Sequence, residues 1–329
     1  MAVSQYATIG ESEYTTLRNS VVNVLGTPSG TWSSGSVGTT AGYNDTVSAP
    51  AVSPGDKITA AQWNALKNDI TAIYTHISGA GPSPALTTVD TDNKITAAIY
   101  NAMDTAQTYN NNNRNTVAGT QLASSTATTG SLTATWNGSQ YHAFRMTFSS
   151  TNEKRAFFNA GGKLRFTASG SAGSSTKDID WRNIANGFGN NEILNLSMTT
   201  SGSGSVEVAQ AGPTYRGWWH LDAQAVNTSV HLFRIDGANI AGNAVYNENF
   251  IDVYFRKQSN LIYQFWYHFN DADTGDQQGG FLPGPAVDES VTTNMSTSVT
   301  LFTPSGAVNV SAPTFSAYND FNTFSVSFP

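Results

Sequence analysis

FIDVYFRKQSNLIYQFWYHF, residues 250–269, sets the fold class of the chain. Ile251, Val253 and Phe255 alternate with Asp252, Tyr254 and Arg256. After a polar break at residues 257–260, the alternation resumes through Leu261, Tyr263, Phe265, Tyr267 and Phe269. Successive side chains of a strand point to opposite faces, so a period of two rich in aromatic and β-branched residues predicts strands. Two such runs on either side of a short polar turn predict a hairpin.

The same period appears on both sides of this hairpin. Phe144, Met146 and Phe148 share one face, opposed by Arg145 and Thr147. Leu164, Phe166 and Ala168 alternate with Lys163, Arg165 and Thr167. Further strands are predicted around residues 194–198, 218–221, 230–235, 299–302 and 324–328, with a short helix over 178–189 (DIDWRNIANGFG). Many short strands separated by Gly and Asn predict a C-terminal antiparallel β-sandwich or jelly roll over residues 117–329, so the fold class is mainly β.

Residues 1–116 read differently, as an extended region carrying two or three short amphipathic helices. In DKITAAQWNALKNDITAIYTHI, residues 56–77, Thr59 followed by Gln62 forms a capping box that starts a helix. Trp63, Leu66, Ile70, Ile73 and Ile77 then recur every three or four residues, the narrow seam of a helix that packs on other helices. The phrase returns as NKITAAIYNAM, residues 93–103, keeping Tyr100 and Met103 before turning polar at Gln107 and Asn110. A fainter copy spans residues 9–26, where Ile9, Tyr14, Leu17, Val21 and Val24 align with Ile58, Trp63, Leu66, Ile70 and Ile73, and Gly26 ends the helix. Two arrangements satisfy three such seams: a bundle within the chain, or docking on neighbouring chains. Bundle loops run to about 2–8 residues. The connectors at 27–55 and 78–93 are far longer and favour docking and oligomerisation through Trp63, Leu66, Ile70, Ile73, Ile77, Tyr100, Met103, Tyr14, Leu17 and Val21. Large seam residues of this kind suit a threefold bundle, hence a homotrimer.

Composition narrows the function classes. Charged residues make up only 12% of the 329, where about 25% is usual. The net charge is −7 and Lys and Arg nowhere cluster, which argues against nucleic acid as a partner. No apolar run approaches the ~20 residues of a membrane span, and the opening MAVSQYATIGESEY has neither the basic start nor the apolar core of a signal peptide. The absence of cysteine excludes disulfides and thiolate chemistry and fits synthesis in a reducing cytoplasm.

Signatures of catalysis are missing: there is no GxSxG, HExxH, P-loop or dinucleotide fingerprint. His76, His142, His220, His231 and His268 are scattered, and His142, sharing a face with Phe144, reads as a half-buried strand histidine. Tyr215, Trp218 and Trp219 could stack on a sugar ring or simply fill a core. In NDADTGDQQGG, residues 270–280, Asp271, Asp273 and Asp276 could wrap a hard cation, but Gly275 precedes the third Asp, unlike an EF-hand loop. An exposed charged loop tip without metal is the favoured reading. The expectation is a non-enzymatic protein with no cofactor.

Four phrases carry a resemblance. AGYNDTVSAPAVSPGDKITAAQWNALKNDI (41–70), RAFFNAGGKLRFTASGSAGSSTKDIDWRNI (155–184), NENFIDVYFRKQSNLIYQFWYHFNDADTG (247–275) and TLFTPSGAVNVSAPTF (300–315) resemble, in this order, virion structural proteins of tailed phages of cyanobacteria and marine bacteria. The resemblance implies a structural protein of the neck, tail or baseplate. Its N-terminal helices would dock on other phage structural proteins, and its β module would project as a fibre or decoration. Fibre-like members of this kind form trimers. The implied location is the virion, after synthesis in the host cytoplasm, and no catalytic residues come with it. The duplicated ITAA and the run YNNNNRN (109–115), in place of a more basic helix end, depart from the family pattern. The alternative is a receptor- or glycan-binding tail-fibre protein that contacts a host surface glycan. A polysaccharide depolymerase is a third class and would require a close carboxylate pair.

Overall fold

The structure, a computed structural model, describes residues 9–28, 42–91, 94–193, 208–210, 215–216, 221–237, 246–273, 276–277, 286–287 and 290–318. The chain divides into two compact units. One comprises residues 1–123, 150–162 and 302–312, and the other residues 124–149, 163–301 and 313–329. The unit that begins the chain runs to residue 123 and also takes in two later segments.

The first unit holds α1 (Glu11–Leu25), α2 (Ala60–Ser78), α3 (Ala97–Asn113) and the short α4 (Thr151–Asn159). The cap of α2 forms as the sequence dictates: Gln62 N–H donates to Thr59 Oγ1 at 3.2 Å, and Thr59 N–H donates to Gln62 Oε1 at 2.8 Å. Gly79 ends α2 in the left-handed conformation, φ +83°. Gly26 ends α1 for a different reason, since a Cβ there would lie 2.5 Å from the Val22 carbonyl oxygen.

The three long helices run parallel. Trp63 of α2 faces Tyr100 of α3, and further along Asn110 Nδ2 donates to the Ile70 carbonyl at 3.0 Å while Tyr74 meets Tyr109. Tyr14 of α1 faces Trp63, and a turn or two on, Ser20 Oγ accepts from Gln107 and Asn111 of α3. Partners advance together along α2 and α3, from Trp63 and Tyr100 to Ile70 and Asn110. Parallel neighbours require the chain to travel back the length of a helix, about 28 Å for the nineteen residues of α2. That return is the physical reason for the long connectors. They lie along the helices: Asn64 exchanges two hydrogen bonds with the backbone of Val89, and Asp69 Oδ2 accepts from Ala49 N–H at 2.9 Å.

The described residues of the second unit form two large sheets, a two-stranded pair and α5 (Thr176–Gly187). The larger sheet is six-stranded and antiparallel, in the order β13 (Thr314–Tyr318), β2 (Ser139–Thr147), β9 (Ile262–Asn270), β8 (Phe250–Lys257), β7 (Ser229–Asp236) and β6 (Tyr215–Arg216). Strands β8 and β9 are the predicted hairpin, paired from Phe250↔Asn270 to Lys257↔Tyr263. The second sheet is five-stranded, in the order β1 (Leu122–Leu132), β12 (Asn294–Pro304), β3 (Lys163–Ser171), β4 (Asn191–Ile193) and β5 (Val208–Gln210). A separate two-stranded pair joins β10 (Asp276–Gln277) to β11 (Ala286–Val287). Side chains of the two large sheets meet in an aromatic core, where Phe166 of β3 touches Phe233, Phe265 and Tyr267. Tyr267 OH donates to the carbonyls of Thr167 and Ser298, so even this core tyrosine has acceptors. The sequence periods at 194–198 and 324–328, and most of 218–221, lie outside the described residues.

Candidate functional site

The seam residues expected to dock on other chains are instead the core of the first unit. Tyr14, Val21, Trp63, Leu66, Ile70, Ile73 and Met103 are 0% exposed, with Leu17, Ile77 and Tyr100 nearly so. They form one cluster to which the connectors add Tyr43, Ala49 and Val89, and the later segments add Ala160 and Val308. The equivalent residues of the three phrases pack on one another, Tyr14 against Trp63 at 6.3 Å between ring centroids and Trp63 against Tyr100 at 6.4 Å. The docking assignment is corrected accordingly: a side chain enclosed within its own chain offers no surface to a neighbour. The same finding removes the seam as a reason for a homotrimer, because the three helices that satisfy it all belong to one chain.

The acidic run after β9 is corrected as well. Asp271 and Asp273 are buried, and the charge they surround is the ammonium of Lys177, in the first turn of α5. Lys177 Nζ lies 2.8 Å from Asp271 Oδ2 and 3.2 Å from Asp273 Oδ2, with side-chain exposures of 0%, 0% and 1%. Asn249, itself fully buried, locks the turn by donating to Asp273 Oδ2 at 2.9 Å and accepting from Ala272 N–H at 2.8 Å. Burial pushes the Asp271 carboxyl well above the usual carboxylate range, and the neighbouring Asp273 pushes it further, against the pull of Lys177. Asp273 goes the other way. Burial opposes ionisation there too, but hydrogen bonds from Asp271 and Asn249 and the charge of Lys177 hold its carboxyl below the ordinary value. Backbone pairing places Asp276 in β10, and its side chain lies outside the described set. Among the described residues no group of three His, Cys, Asp or Glu is arranged to hold a metal ion.

Next to Lys177, Asp178 fastens the start of α5. Its carboxylate accepts from Thr292 N–H at 2.7 Å, Thr293 N–H at 2.8 Å and the Thr292 hydroxyl at 2.6 Å, while Asp178 N–H donates to the N-cap Ser175. Burial raises this carboxyl, the hydrogen bonds outweigh it, and the net effect is a fall to about 2.

A second buried centre sits on the face of the six-stranded sheet away from Phe166. Asp252 is 0% exposed and takes both forks of Arg234, at 2.7 Å each, with His231 Nε2 at 2.9 Å and Tyr254 OH at 2.9 Å. Burial opposes its ionisation, but Arg234 and His231 win and hold the carboxyl below its ordinary value. Rings stack across the strands beside it: His231 on Tyr254, Tyr254 on Trp266, and Tyr141 on His268 at 4.6 Å and 8°. Rings stacked on one another present edges outward. Trp266 and Tyr254 are 4% and 5% exposed, so they offer no open ring face to a sugar.

The sequence candidates for such stacking fall elsewhere. Trp218 and Trp219 lie outside the described residues, and Tyr215 is placed only by its backbone pairing with Arg234. His142 bonds Thr297 through Nδ1 at 2.7 Å and meets the edge of Phe269. His76 is fully buried in the first unit, with Nε2 2.9 Å from the Ala160 carbonyl.

Lys177 and Asp252 escaped sequence reading for identifiable reasons. Asp252 looked like the solvent side of an alternating strand, but β8 is buried on both faces. The signal for Lys177 was its place on the apolar stripe of α5, one turn before Trp181. No described helix is long and apolar enough to cross a membrane. No protein-family model, curated protein or solved structure matches the chain.

Proposed function

We propose that this chain is a non-enzymatic structural subunit of a tailed-phage virion, located in the neck, tail or baseplate. In this reading the second unit is a β-sandwich of the jelly-roll kind, projected as a fibre-like or decorating module. One observation carries the proposal: the buried ionisable groups serve architecture. Asp252 ties three strand side chains together, Asp178 fixes a helix start to the segment before β12, and Lys177 bridges α5 to the end of β9. Carboxylates so fully engaged by cations and hydroxyls are poor acids or nucleophiles for an external substrate. The low charge and the four resembling phrases point the same way.

Partners would be other structural proteins of the particle, engaged through outer surfaces of the units because the helical seams are closed. The test is a purified virion of a phage that encodes the chain. Quantitative mass spectrometry of gradient-banded particles should find it at a fixed copy number set by the local symmetry. Abundance in the lysate with absence from particles would contradict the proposal.

A further inference from the structure

Lys177, Asp271 and Asp273 form an arrangement with chemical consequences beyond an ion pair. A buried amine and a buried carboxyl group lie at ion-pair distance, with a second carboxyl group beside the amine. Lys177 Nζ is 2.8 Å from Asp271 Oδ2 and within 3.4 Å of Asp273 Oδ1. Buried aromatic residues flank both groups along their own elements. Trp181 lies one helical turn beyond Lys177, Phe269 lies one strand step before Asp271, and these two rings touch at 6.3 Å between centroids with Trp136 against both. The reacting groups are also fixed in place. Asp271 N–H donates to the Gly138 carbonyl at 2.9 Å, Asn249 holds the turn, and the Ser175 and Asp178 contacts hold the first turn of α5.

We infer that Lys177 and Asp271 join in an internal amide bond, with Asp273 moving the protons. Three features of the site favour the step. Removal from water favours a neutral acid at Asp271, which supplies an uncharged carbonyl, and Asp273 beside Lys177 is placed to take the proton that frees the amine as nucleophile. The raised Asp271 and lowered Asp273 place the proton on Asp271, the partner that must be attacked. Fixed contact between the two groups replaces a bimolecular encounter, an advantage worth several orders of magnitude in effective concentration.

The step balances as follows. Lys177 starts as an ammonium, Asp271 as a neutral acid and Asp273 as a carboxylate. Asp273 takes a proton from Lys177, whose lone pair attacks Asp271 Cγ to give a tetrahedral centre. Asp273 delivers that proton to the departing hydroxyl, which leaves as water, and accepts the remaining surplus proton from the nitrogen. The products are a secondary amide, one water and a neutral Asp273. No oxidant, metal or cofactor takes part. The bond would join α5 covalently to the end of β9, so the unit could not be pulled apart between these elements without breaking an amide.

The test uses the full-length chain, denatured and digested. The expected result is a single species lighter than the linear chain by the mass of one water, with fragmentation locating the loss in a branched peptide joining Lys177 to Asp271. Lys177→Arg keeps a cation but cannot form the bond, and should give the unlinked peptides. Asp273→Asn keeps both reacting groups and should slow linkage by about a hundred-fold or more. Separate, unmodified Lys177 and Asp271 peptides from the folded wild-type protein would overturn the inference, whatever the variants do. Full and equally rapid linkage in Asp273→Asn would overturn the role given to Asp273.

Discussion

Trp63 and Tyr100 occupy the same place in two copies of one helical phrase, and their ring centroids lie 6.4 Å apart. Tyr14, the corresponding residue of the third copy, completes the group at 6.3 Å from Trp63. Repetition of the phrase thus produces self-complementarity: like positions meet because the helices are parallel, and the connectors exist to make them so. Trp63→Ala removes the central member of this group and should cost about 3–5 kcal/mol. Urea denaturation followed through the helical signal should show the loss, with Trp63→Phe substantially milder. An unchanged midpoint for Trp63→Ala would mean that the aromatic group does not hold the unit together.

The connectors should matter to stability and not only to chain path. Asp69 accepts from the backbone N–H groups of Ser48 and Ala49 and from the Ser48 hydroxyl. Asp69→Ala strands the N–H of the buried Ala49, while the exposed Ser48 donors turn to water, at a cost of about 1–3 kcal/mol. Hydrogen exchange at the amides of Ser48 and Ala49 should accelerate in this variant. Unaltered exchange there would show that the connector is held by its apolar residues alone.

Arg234 and Asp252 test the second unit. Arg234→Ala leaves a fully buried carboxylate with only His231 and Tyr254. The expected cost is about 2–4 kcal/mol, toward the low side for a broken buried pair because the Arg234 side chain is 35% exposed. Adding Asp252→Asn removes the stranded charge and should recover part of the loss. Simple additivity of the two substitutions in thermal or chemical denaturation would argue against a shared charge pair.

How the sequence conveyed this architecture follows the range of each signal. The β8–β9 hairpin was legible because alternation and turn are contiguous, and the α2 cap was legible because Thr59 and Gln62 lie within one turn. Connector length was read correctly as unusual and interpreted wrongly, since a long return between parallel helices and a long reach to a neighbour look alike in sequence. Helix α4 was missed because its aromatic pair, Phe157 and Phe158, reads equally well as the start of a strand; the Ser150 cap on Glu153 N–H was the local clue. The pairing of Lys177 with Asp271 had no local signal at all. A contact across more than ninety residues exists only once the sheet has brought β9 beside α5.

Acid should weaken the first unit through His76. Burial lowers its ring from the ordinary 6.5 to about 4, against the opposing hydrogen bond to Ala160. The unfolded chain therefore binds a proton more readily than the folded one between these values. Stability from this residue is full above about pH 6.5, declines as pH falls toward 4, and levels off below, with a total of about 3 kcal/mol. His76→Gln cannot titrate, so its stability should depend less steeply on pH across that window. Parallel pH profiles for wild type and variant would rule out a buried neutral His76.

The claim that the three helical phrases close on one another within a single chain is tested most directly by hydrogen exchange on dilute, monomeric protein. Amides of residues 66–77, in the body of α2, should be strongly protected and their exchange independent of protein concentration. Their protection should approach that of the β8–β9 hairpin. Weak protection that grows as the protein is concentrated would contradict the account, and would return the helices to the role of docking elements completed by neighbouring chains.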